Sequence, residues 1–186
     1  MSFDGVSSRR AAAALWVLAA SLALEARVFL SQEEALKLAF PGASIERRTL
    51  FLTEAEQQEA AALAGGGRPS ALAVAYVATR DGSLAGTAYF DTHVVRTQVE
   101  TLMVAVDPGG AIARMEVLSF SEPEQYLPRE RWYAQFQGRT LDDELAVHRG
   151  IRPVSGATLT VRAATEAARR VLALHRVLEK RARKPA

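Results

Sequence analysis

Residues 71–120 read ALAVAYVATRDGSLAGTAYFDTHVVRTQVETLMVAVDPGGAIARMEVLSF, and this stretch carries the pattern of paired β-strands. Leu72, Val74 and Tyr76 alternate with small residues, and Arg80-Asp81-Gly82-Ser83, which has the composition of a hairpin turn, precedes a second strand at 84–90. A second turn, Asp107-Pro108-Gly109-Gly110, separates apolar runs at 99–106 and 112–118. Two consecutive hairpins predict an antiparallel meander of about four strands, with helices left to cover one face.

Helices are predicted ahead of this meander, in the segment 28–70. Ser31 is followed three residues later by Glu34, and Thr53 in the same way by Glu56. This spacing is that of a capping box, in which each side chain bonds the backbone N–H of the other residue at a helix start. The sequence therefore predicts two capped helices in an N-terminal helical segment.

Helices are also predicted after the meander. A short aromatic-rich helix contains Trp132, Tyr133 and Phe136, and a second short helix is expected at 141–147. A long helix runs from Leu159 to about Arg181 without Gly or Pro, and its apolar residues recur on one face that should pack on the sheet. The predicted fold class is α+β, with the meander packed against this C-terminal helix and the shorter ones. The basic residues at its end suit helix capping and solubility, or contact with anionic lipid.

The beginning of the chain resembles an export signal. Arg9 and Arg10 precede an apolar run at residues 11–24, which is interrupted only by Ser21. Such a run is shorter than the roughly 20 residues that span a bilayer as a helix, and its basic flank is typical of a secretory signal. We expect residues 1–27 to be a cleaved signal peptide or a membrane anchor. This interpretation predicts a location in the periplasm or on the outer face of a bacterial inner membrane.

Composition limits the function classes. The 186 residues are 49% apolar and 24% charged, which suits one packed domain. A formal charge of +2 does not indicate a nucleic-acid partner. The absence of Cys excludes thiolate-bound iron–sulfur clusters and c-type haem, so a redox role needs an organic cofactor. Three widely spaced histidines, at 93, 148 and 175, offer no metal-binding spacing.

The chemistry-bearing motif is Ser155-Gly156-Ala157-Thr158-Leu159-Thr160, between an extended segment and the long helix. Backbone N–H groups at a helix start favour a bound anion, and the hydroxyls of Ser155, Thr158 and Thr160 can donate to phosphate oxygens. Gly156 and Ala157 let the backbone approach a bulky ligand. The alternative interpretation is that Thr158 or Thr160 only caps the helix.

The wider context resembles the FMN-binding domain of the covalent flavin subunits of bacterial sodium-pumping and proton-pumping redox complexes, and of smaller stand-alone relatives. The resemblance covers residues 71–186. It rests on the strand ending Met115-Glu116-Val117-Leu118, on Glu122-Pro123 where the family tends to carry Glu-Thr-Pro-Gly, and on residues 155–158 opening the last helix. It implies FMN as the cofactor and an electron-relay role.

The resemblance also implies how the flavin is attached. In that family a separate, magnesium-dependent flavin transferase moves FMN from FAD onto a threonine hydroxyl, in the motif Asp-x-x-Ser-Gly-Ala-Thr. The match makes Thr158 the acceptor, with Ser155, Gly156 and Ala157 around the phosphate. The Asp of the motif falls on Arg152, which reverses the charge. Because a guanidinium pairs well with phosphate, Arg152 would instead favour non-covalent FMN.

Four further residues are candidates for contact with the flavin. Glu122 matches the acidic residue that the family carries near the flavin, although a Glu before Pro is also typical of a solvated loop. Tyr126 and Trp132 would wall the isoalloxazine ring, or pack in the core. His93 would touch the flavin edge or serve a structural role.

The sequence as a whole indicates an exported FMN-carrying electron-transfer protein rather than a self-sufficient enzyme, and no catalytic residues are predicted. Its expected partners are a flavin transferase and a membrane redox protein. One alternative is an exported scaffold or regulatory domain that binds FMN non-covalently or not at all. Another is a cytoplasmic flavin reductase-like enzyme, against which the N-terminal apolar run argues.

Overall fold

The computed structural model describes residues 27–183, which form a six-stranded antiparallel sheet with helices on its faces. The predicted export segment therefore lies almost entirely outside the described residues. Within residues 27–183, no helix is both long and apolar enough to cross a membrane. The elements are β1 (Arg27–Val28), α1 (Gln32–Ala39), β2 (Ser44–Phe51), α2 (Glu54–Ala64), β3 (Leu72–Arg80), β4 (Ser83–Val94), β5 (Val99–Val106), β6 (Ile112–Phe120), α3 (Glu130–Tyr133) and α4 (Thr158–Arg183).

The two predicted hairpins are confirmed. Asp81 and Gly82 both have positive φ, at 51° and 75°, as the tight turn between β3 and β4 requires. Between β5 and β6, the Asp107 carboxylate accepts hydrogen bonds from the N–H groups of Gly109 and Ala111 at 2.8 and 3.0 Å. The α+β class and the long C-terminal helix are confirmed as well. Both capping boxes are formed.

The sheet has six strands rather than about four. β2 pairs along its whole length with β3, from Ser44 opposite Thr79 to Phe51 opposite Leu72. β1 pairs with the end of β6, so the order across the sheet is β1-β6-β5-β4-β3-β2. β2 is an edge strand whose residues are mostly exposed, so its sequence lacks the apolar alternation of a half-buried strand. Its structure is decided by pairing with β3.

Helices cover both faces of the sheet, not one as predicted. On β5, Leu102, Val104 and Val106 face the larger core, which they share with α3 and α4. Met103 and Ala105 point the other way, into a smaller core beneath α1. This alternation along one strand, with both sets fully buried, explains why residues 102–106 form a continuous apolar run.

The basic end of α4 is held against the protein. Arg181 donates to the carbonyl of Phe51 at 3.0 Å and lies near Glu56 of α2, and Lys180 pairs with Glu59 of α2 at 2.8 Å. Arg183 pairs with Glu179 within α4 itself. These contacts fit the interpretation of the basic residues as structural, because each of the three side chains has a carboxylate or carbonyl partner within the protein.

The short helix expected at 141–147 is wrong, because this segment forms turns. The carboxylate of Asp142 accepts hydrogen bonds from the N–H groups of Glu144 and Leu145 at 2.9 and 3.1 Å. Such local side-chain bonds offer the backbone an alternative to helical pairing. Leu145 is nevertheless fully buried in the core. The apolar residues of this segment therefore reflect burial in the core and not a helix.

Replacement of Gly86 tests the packing of α1 on the sheet. A Cβ at this position would lie 2.6 Å from both the Phe40 ring and the carbonyl oxygen of Val106. We expect Gly86→Ala to lower the free energy of unfolding by about 2 to 4 kcal/mol, through overpacking added to backbone strain. Gly82→Ala is the matched control, since Gly82 has a positive φ but open space around it. Equal losses in urea titrations of the two variants would contradict close packing at Gly86.

Candidate functional site

Helix α4 begins without a side-chain cap. The carbonyl of Ala157 accepts the first helical bond, from Val161 N–H at 2.9 Å, so Ala157 occupies the cap position and Thr158 is the first helical residue. A methyl side chain cannot accept a hydrogen bond, and neither Thr158 nor Thr160 caps the helix. Within residues 27–183, the N–H groups of Thr158, Leu159 and Thr160 have no protein acceptor. Together with the helix dipole, these three donors favour an anion at this point.

The loop ahead of the helix is open to a ligand. Gly156 has a φ of +83°, a left-handed conformation that favours glycine. A turn closed by the bond from Ala157 N–H to the Val154 carbonyl, at 3.2 Å, carries the chain into the helix. No atom lies within 4 Å of a Cβ built on Gly156, so space remains beside the backbone. The loop therefore fits a phosphate.

The two threonines of the motif have different environments. Thr158 is exposed, whereas Thr160 is only 1% exposed and donates its hydroxyl to the carbonyl of Tyr126 at 2.7 Å. The predicted bond from Thr160 to phosphate is therefore replaced by a bond that ties α4 to the turn at Glu124–Tyr126. Thr158 presents the accessible threonine hydroxyl, and Ser155 is exposed in the same loop.

A small cavity of about 220 Å³ adjoins Thr158. Arg96 and Tyr126 form its far side, with the Arg96 guanidinium carbon 4.6 Å from the centre of the Tyr126 ring. Leu159 lines it as well and is 44% exposed. Tyr126 is among the site residues predicted from the sequence, whereas Arg96 is not. The predicted meander could have indicated Arg96. In an antiparallel meander, the turn between β4 and β5 and the residues that follow β6 lie at the same end of the sheet.

Glu122 holds the β4–β5 turn in place. It is 8% exposed, and its Oε1 accepts hydrogen bonds from the N–H groups of Thr97 and Gln98 at 2.7 and 2.9 Å. Burial would raise the pKa of Glu122, but these backbone donors outweigh burial and hold the pKa below its ordinary value. Glu122 is therefore a buried carboxylate that positions the turn carrying Arg96, and not a solvated loop residue.

A larger groove of about 750 Å³ lies beside the motif loop, and Ala157 lines both the groove and the cavity. Trp132 and Arg152 line the groove. The indole Nε1 of Trp132 donates to the Arg152 carbonyl at 2.7 Å, and the Arg152 N–H donates to Gln135 Oε1 at 2.7 Å. The backbone of Arg152 is thus held on both sides, while its side chain is exposed. Trp132 also packs edge-to-face on Tyr133 and Phe136.

His93 belongs to a buried network of charges and lines neither the cavity nor the groove. Its Nδ1 lies 2.8 Å from Asp91 and its Nε2 lies 3.1 Å from Glu100, which is fully buried. Burial lowers the pKa of His93, but the two carboxylates outweigh burial and raise the pKa to about 9. With both ring nitrogens occupied, His93 has a structural role here and no free nitrogen for a flavin edge.

The network continues into two helices. Arg170 of α4 binds Asp91 with two hydrogen bonds, at 2.7 and 3.1 Å, and the Tyr133 hydroxyl of α3 donates to Glu100 at 3.2 Å. These hydrogen bonds connect the end of β4 to α4 and the start of β5 to α3. Among residues 27–183, no group of three acidic or histidine side chains is arranged to hold a metal ion.

One family model matches the part of the chain that holds most of the candidate site residues. Residues 98–173 match the model of the FMN-binding domain family, and this span contains every predicted site residue except His93. Among solved structures, the crystal structure of Shewanella oneidensis NqrC is similar, with a TM-score of 0.51 and 17% sequence identity. That alignment covers 73% of this chain and 85% of that chain, and at this identity it shows a shared fold. No curated protein matches the chain.

The pKa of His93 predicts how stability depends on pH. Because the folded-state pKa is about 9 and the ordinary value is 6.5, the stabilisation is complete below pH 6.5 and is lost as pH rises through 9. We expect urea titrations to show a loss of about 3 kcal/mol over this interval. His93→Gln should be less stable at pH 6.5 and should lack the pH-dependent loss. His148→Asn is the control, since Asn tolerates the positive φ of His148. An unchanged pH dependence in His93→Gln would contradict the assignment.

Proposed function

We propose that the chain is an exported electron-transfer protein that carries FMN on Thr158, a proposal supported by the match of residues 98–173 to the model of the FMN-binding domain family. The observation that carries this proposal is an exposed threonine hydroxyl on the first residue of a helix whose leading N–H groups have no protein acceptor. A phosphoester at this position would place its charged oxygens next to those donors. Gly156 leaves the room that the phosphate needs.

Attachment requires a second protein. In the proposed reaction, Thr158 Oγ forms a bond to the flavin-side phosphorus of FAD, the bond between the two phosphates breaks, and AMP leaves with the electron pair. The hydroxyl proton must pass to a base. Among the described residues that line the cavity at Thr158, none carries a carboxylate or an imidazole. A flavin transferase that brings its own base is therefore the proposed partner.

The cavity and the groove open at the surface, which suits a carrier. FMN supplies one-electron or two-electron chemistry, and the chain's own residues orient it. Thr160 fixes α4 to the turn of Tyr126, and Glu122 fixes the turn of Arg96, so both sides of the cavity are held by buried hydrogen bonds. A flavin at this place would exchange electrons with a membrane redox protein and with a further carrier.

Export to the outer side of a bacterial inner membrane is proposed from Arg9, Arg10 and the apolar run at residues 11–24. The domain begins close to the site, because Arg27 pairs with Glu124 at 2.7 Å, two residues before Tyr126. If the apolar segment remains as an anchor, the flavin would therefore lie on the side of the domain nearest the membrane.

A second candidate function is non-covalent binding of FMN. The observation that favours it is Arg152, whose backbone is held by Trp132 and Gln135 while its exposed side chain lines the groove. A guanidinium in this position suits a phosphate, and it stands where the family's attachment motif carries Asp. In this case Thr158 would contact the phosphate without forming a bond to it.

Thr158→Ala tests covalent attachment. We expect co-expression with a flavin transferase to increase the intact mass of the parent chain by one FMN unit, with flavin fluorescence that survives a denaturing gel. Thr158→Ala should remove both signals, because the acceptor oxygen is gone. Ser155→Ala is the matched control, since it deletes another exposed hydroxyl of the same loop and should keep the bond. Fluorescence of undiminished strength in the Thr158→Ala gel band would sink the assignment.

Arg152→Asp separates the two candidates within the same experiment. If the transferase reads the motif Asp as a charged contact, the substitution should increase the rate of attachment by roughly ten- to a hundred-fold, the worth of one charged hydrogen bond. If Arg152 holds a non-covalent phosphate, the same substitution should weaken FMN binding by a similar factor. In that case no fluorescence survives denaturation in either variant. The absence of flavin from both variants would favour the scaffold interpretation.

A reporter fusion tests export. Residues 1–40 joined to alkaline phosphatase, which is active only outside the cytoplasm, should give activity in cells. Arg9→Glu together with Arg10→Glu should reduce that activity severalfold, because the basic flank of the apolar run directs insertion. A fusion that stays inactive in the cytosol would contradict the proposed location while leaving FMN binding untouched.

A further inference from the structure

The groove beside the motif loop is lined by cations. Among the described residues that form it, four are arginines, Arg129, Arg131, Arg139 and Arg152, and none carries a carboxylate. The chain as a whole has a formal charge of only +2. In the chain as a whole, 23 Lys and Arg nearly balance 21 Asp and Glu, whereas the lining of this groove holds cations alone, and a cleft lined by one sign of charge focuses its field.

The four arginines do not share one role. Arg139 is structural, because its guanidinium donates to the carbonyls of Gln135 and Gly150 at 3.3 and 2.8 Å. The side chains of Arg129, Arg131 and Arg152 are exposed and make no hydrogen bond or ion pair with residues 27–183. Their backbones belong to ordered elements: Arg129 caps α3, Arg131 lies within α3, and Arg152 is held by Trp132.

The groove is continuous with the attachment loop. Ala157 lines it and immediately precedes Thr158, and Val154 lines it three residues earlier. A flavin on Thr158 would lie at the border of this positive groove. A molecule that enters the groove would thus come close to the flavin, which is the geometry that electron transfer between two proteins requires.

We propose that this groove is the docking surface for an acidic face of the redox partner, an inference that rests on the proposed electron-transfer function. Exposed carboxylates of the partner pair with Arg129 and Arg131, and Arg guanidinium groups bind carboxylates with two parallel hydrogen bonds. Complementary charge at such a surface raises the rate of encounter and orients the partner. The partner is therefore a protein with clustered Asp and Glu around its own redox centre.

Other polyanions fit the groove less well. Nucleic-acid binding uses some 6 to 10 phosphate contacts along a continuous basic stripe, whereas this groove offers three free guanidinium groups. A lipid surface is bound by exposed apolar side chains beside cations. In the groove the two apolar side chains between the arginines of α3 and Arg152 are recessed, since Trp132 is 7% exposed and Pro128 is buried. A protruding acidic protein segment fits this concave shape.

Two matched variants test the docking surface in the full-length holoprotein. Arg129→Gln with Arg131→Gln removes two charges from the groove. Arg47→Gln with Arg48→Gln removes two charges from β2, outside the groove. The reduced flavin is mixed anaerobically with ferricyanide, a trianion, or with hexaammineruthenium(III), a trication. Each reduced flavin passes two electrons, one to each of two probe ions, and releases its protons to water.

The two probes should respond with opposite signs. At about 10 mM ionic strength we expect the groove variant to react roughly fivefold more slowly with ferricyanide and severalfold faster with hexaammineruthenium. The β2 variant should change either rate by less than about twofold. At about 0.5 M salt the differences should vanish, because the Debye length falls to a few ångströms. Equal effects of the two variants would overturn the docking surface but not the proposed function.

A binding measurement covers the case in which no flavin is attached. Fluorescence anisotropy of a labelled hexaglutamate peptide should report binding to the full chain that is at least fivefold weaker in the groove variant and unchanged in the β2 variant. A chain that binds the peptide but carries no flavin would contradict the proposed function, while the groove would remain a docking surface for an acidic protein. Peptide binding that is unaffected in the groove variant would overturn the inference. The inference would also be overturned if the chain bound phosphatidylglycerol vesicles or single-stranded DNA more tightly than the peptide, and if that binding depended on Arg129 and Arg131.

Discussion

An imidazolium held between two carboxylates, one of them fully buried, joins the parts of this molecule that build the site. His93 contacts Asp91 and Glu100, and these carboxylates in turn bind Arg170 of α4 and Tyr133 of α3. Because Glu100 has no access to water, loss of the His93 ring would leave its carboxyl group with a single hydroxyl donor among the described residues, and an incompletely bonded buried polar group is destabilising. These contacts therefore fix the positions of α3 and α4 relative to the end of β4 and the start of β5.

The cavity follows from that arrangement. The turn between β4 and β5 carries Arg96, and Glu122 holds the turn by two backbone N–H groups. Tyr126 follows shortly after Glu122, and its backbone carbonyl accepts a hydrogen bond from the Thr160 hydroxyl. This bond places the start of α4 against the same end of the sheet. Each contact depends on a buried hydrogen bond rather than on surface charge. A ligand at Thr158 would thus find a largely preformed environment, with little ordering left to oppose binding.

Charge is distributed unevenly around this environment. Behind the cavity, positive and negative groups are paired and buried, and at the far end of α4 the basic side chains meet carboxylates of α2. At the groove, three guanidinium groups remain free of partners within the described residues. The physical consequence is a positive potential beside the loop at residues 155–157, which acts on anionic ligands and on the approach of another protein alike.

The sequence by itself determined the elements that local chemistry specifies. Turn residues such as Asp81-Gly82 select hairpins, side chains such as Ser31 and Thr53 begin helices, and the periodicity of residues 159–181 defines α4 with its apolar face. The motif at residues 155–160 and the predicted residues Glu122 and Tyr126 lie together at one end of the sheet. These features depend on residues that are close together in the sequence, so they can be predicted without knowledge of the fold.

Tertiary structure decided what depends on distant partners. β2 is a strand because β3 lies beside it, and residues 141–147 form turns because Asp142 binds the local backbone while Leu145 enters the core. Arg96 joins the site only because β4, β5 and β6 end together. Thr160 and Thr158 are chemically alike in the sequence, yet burial against Tyr126 occupies one hydroxyl and leaves the other exposed. Hydrogen-bond partners far apart in the chain exist only once the chain is folded, so no local pattern could have distinguished the two.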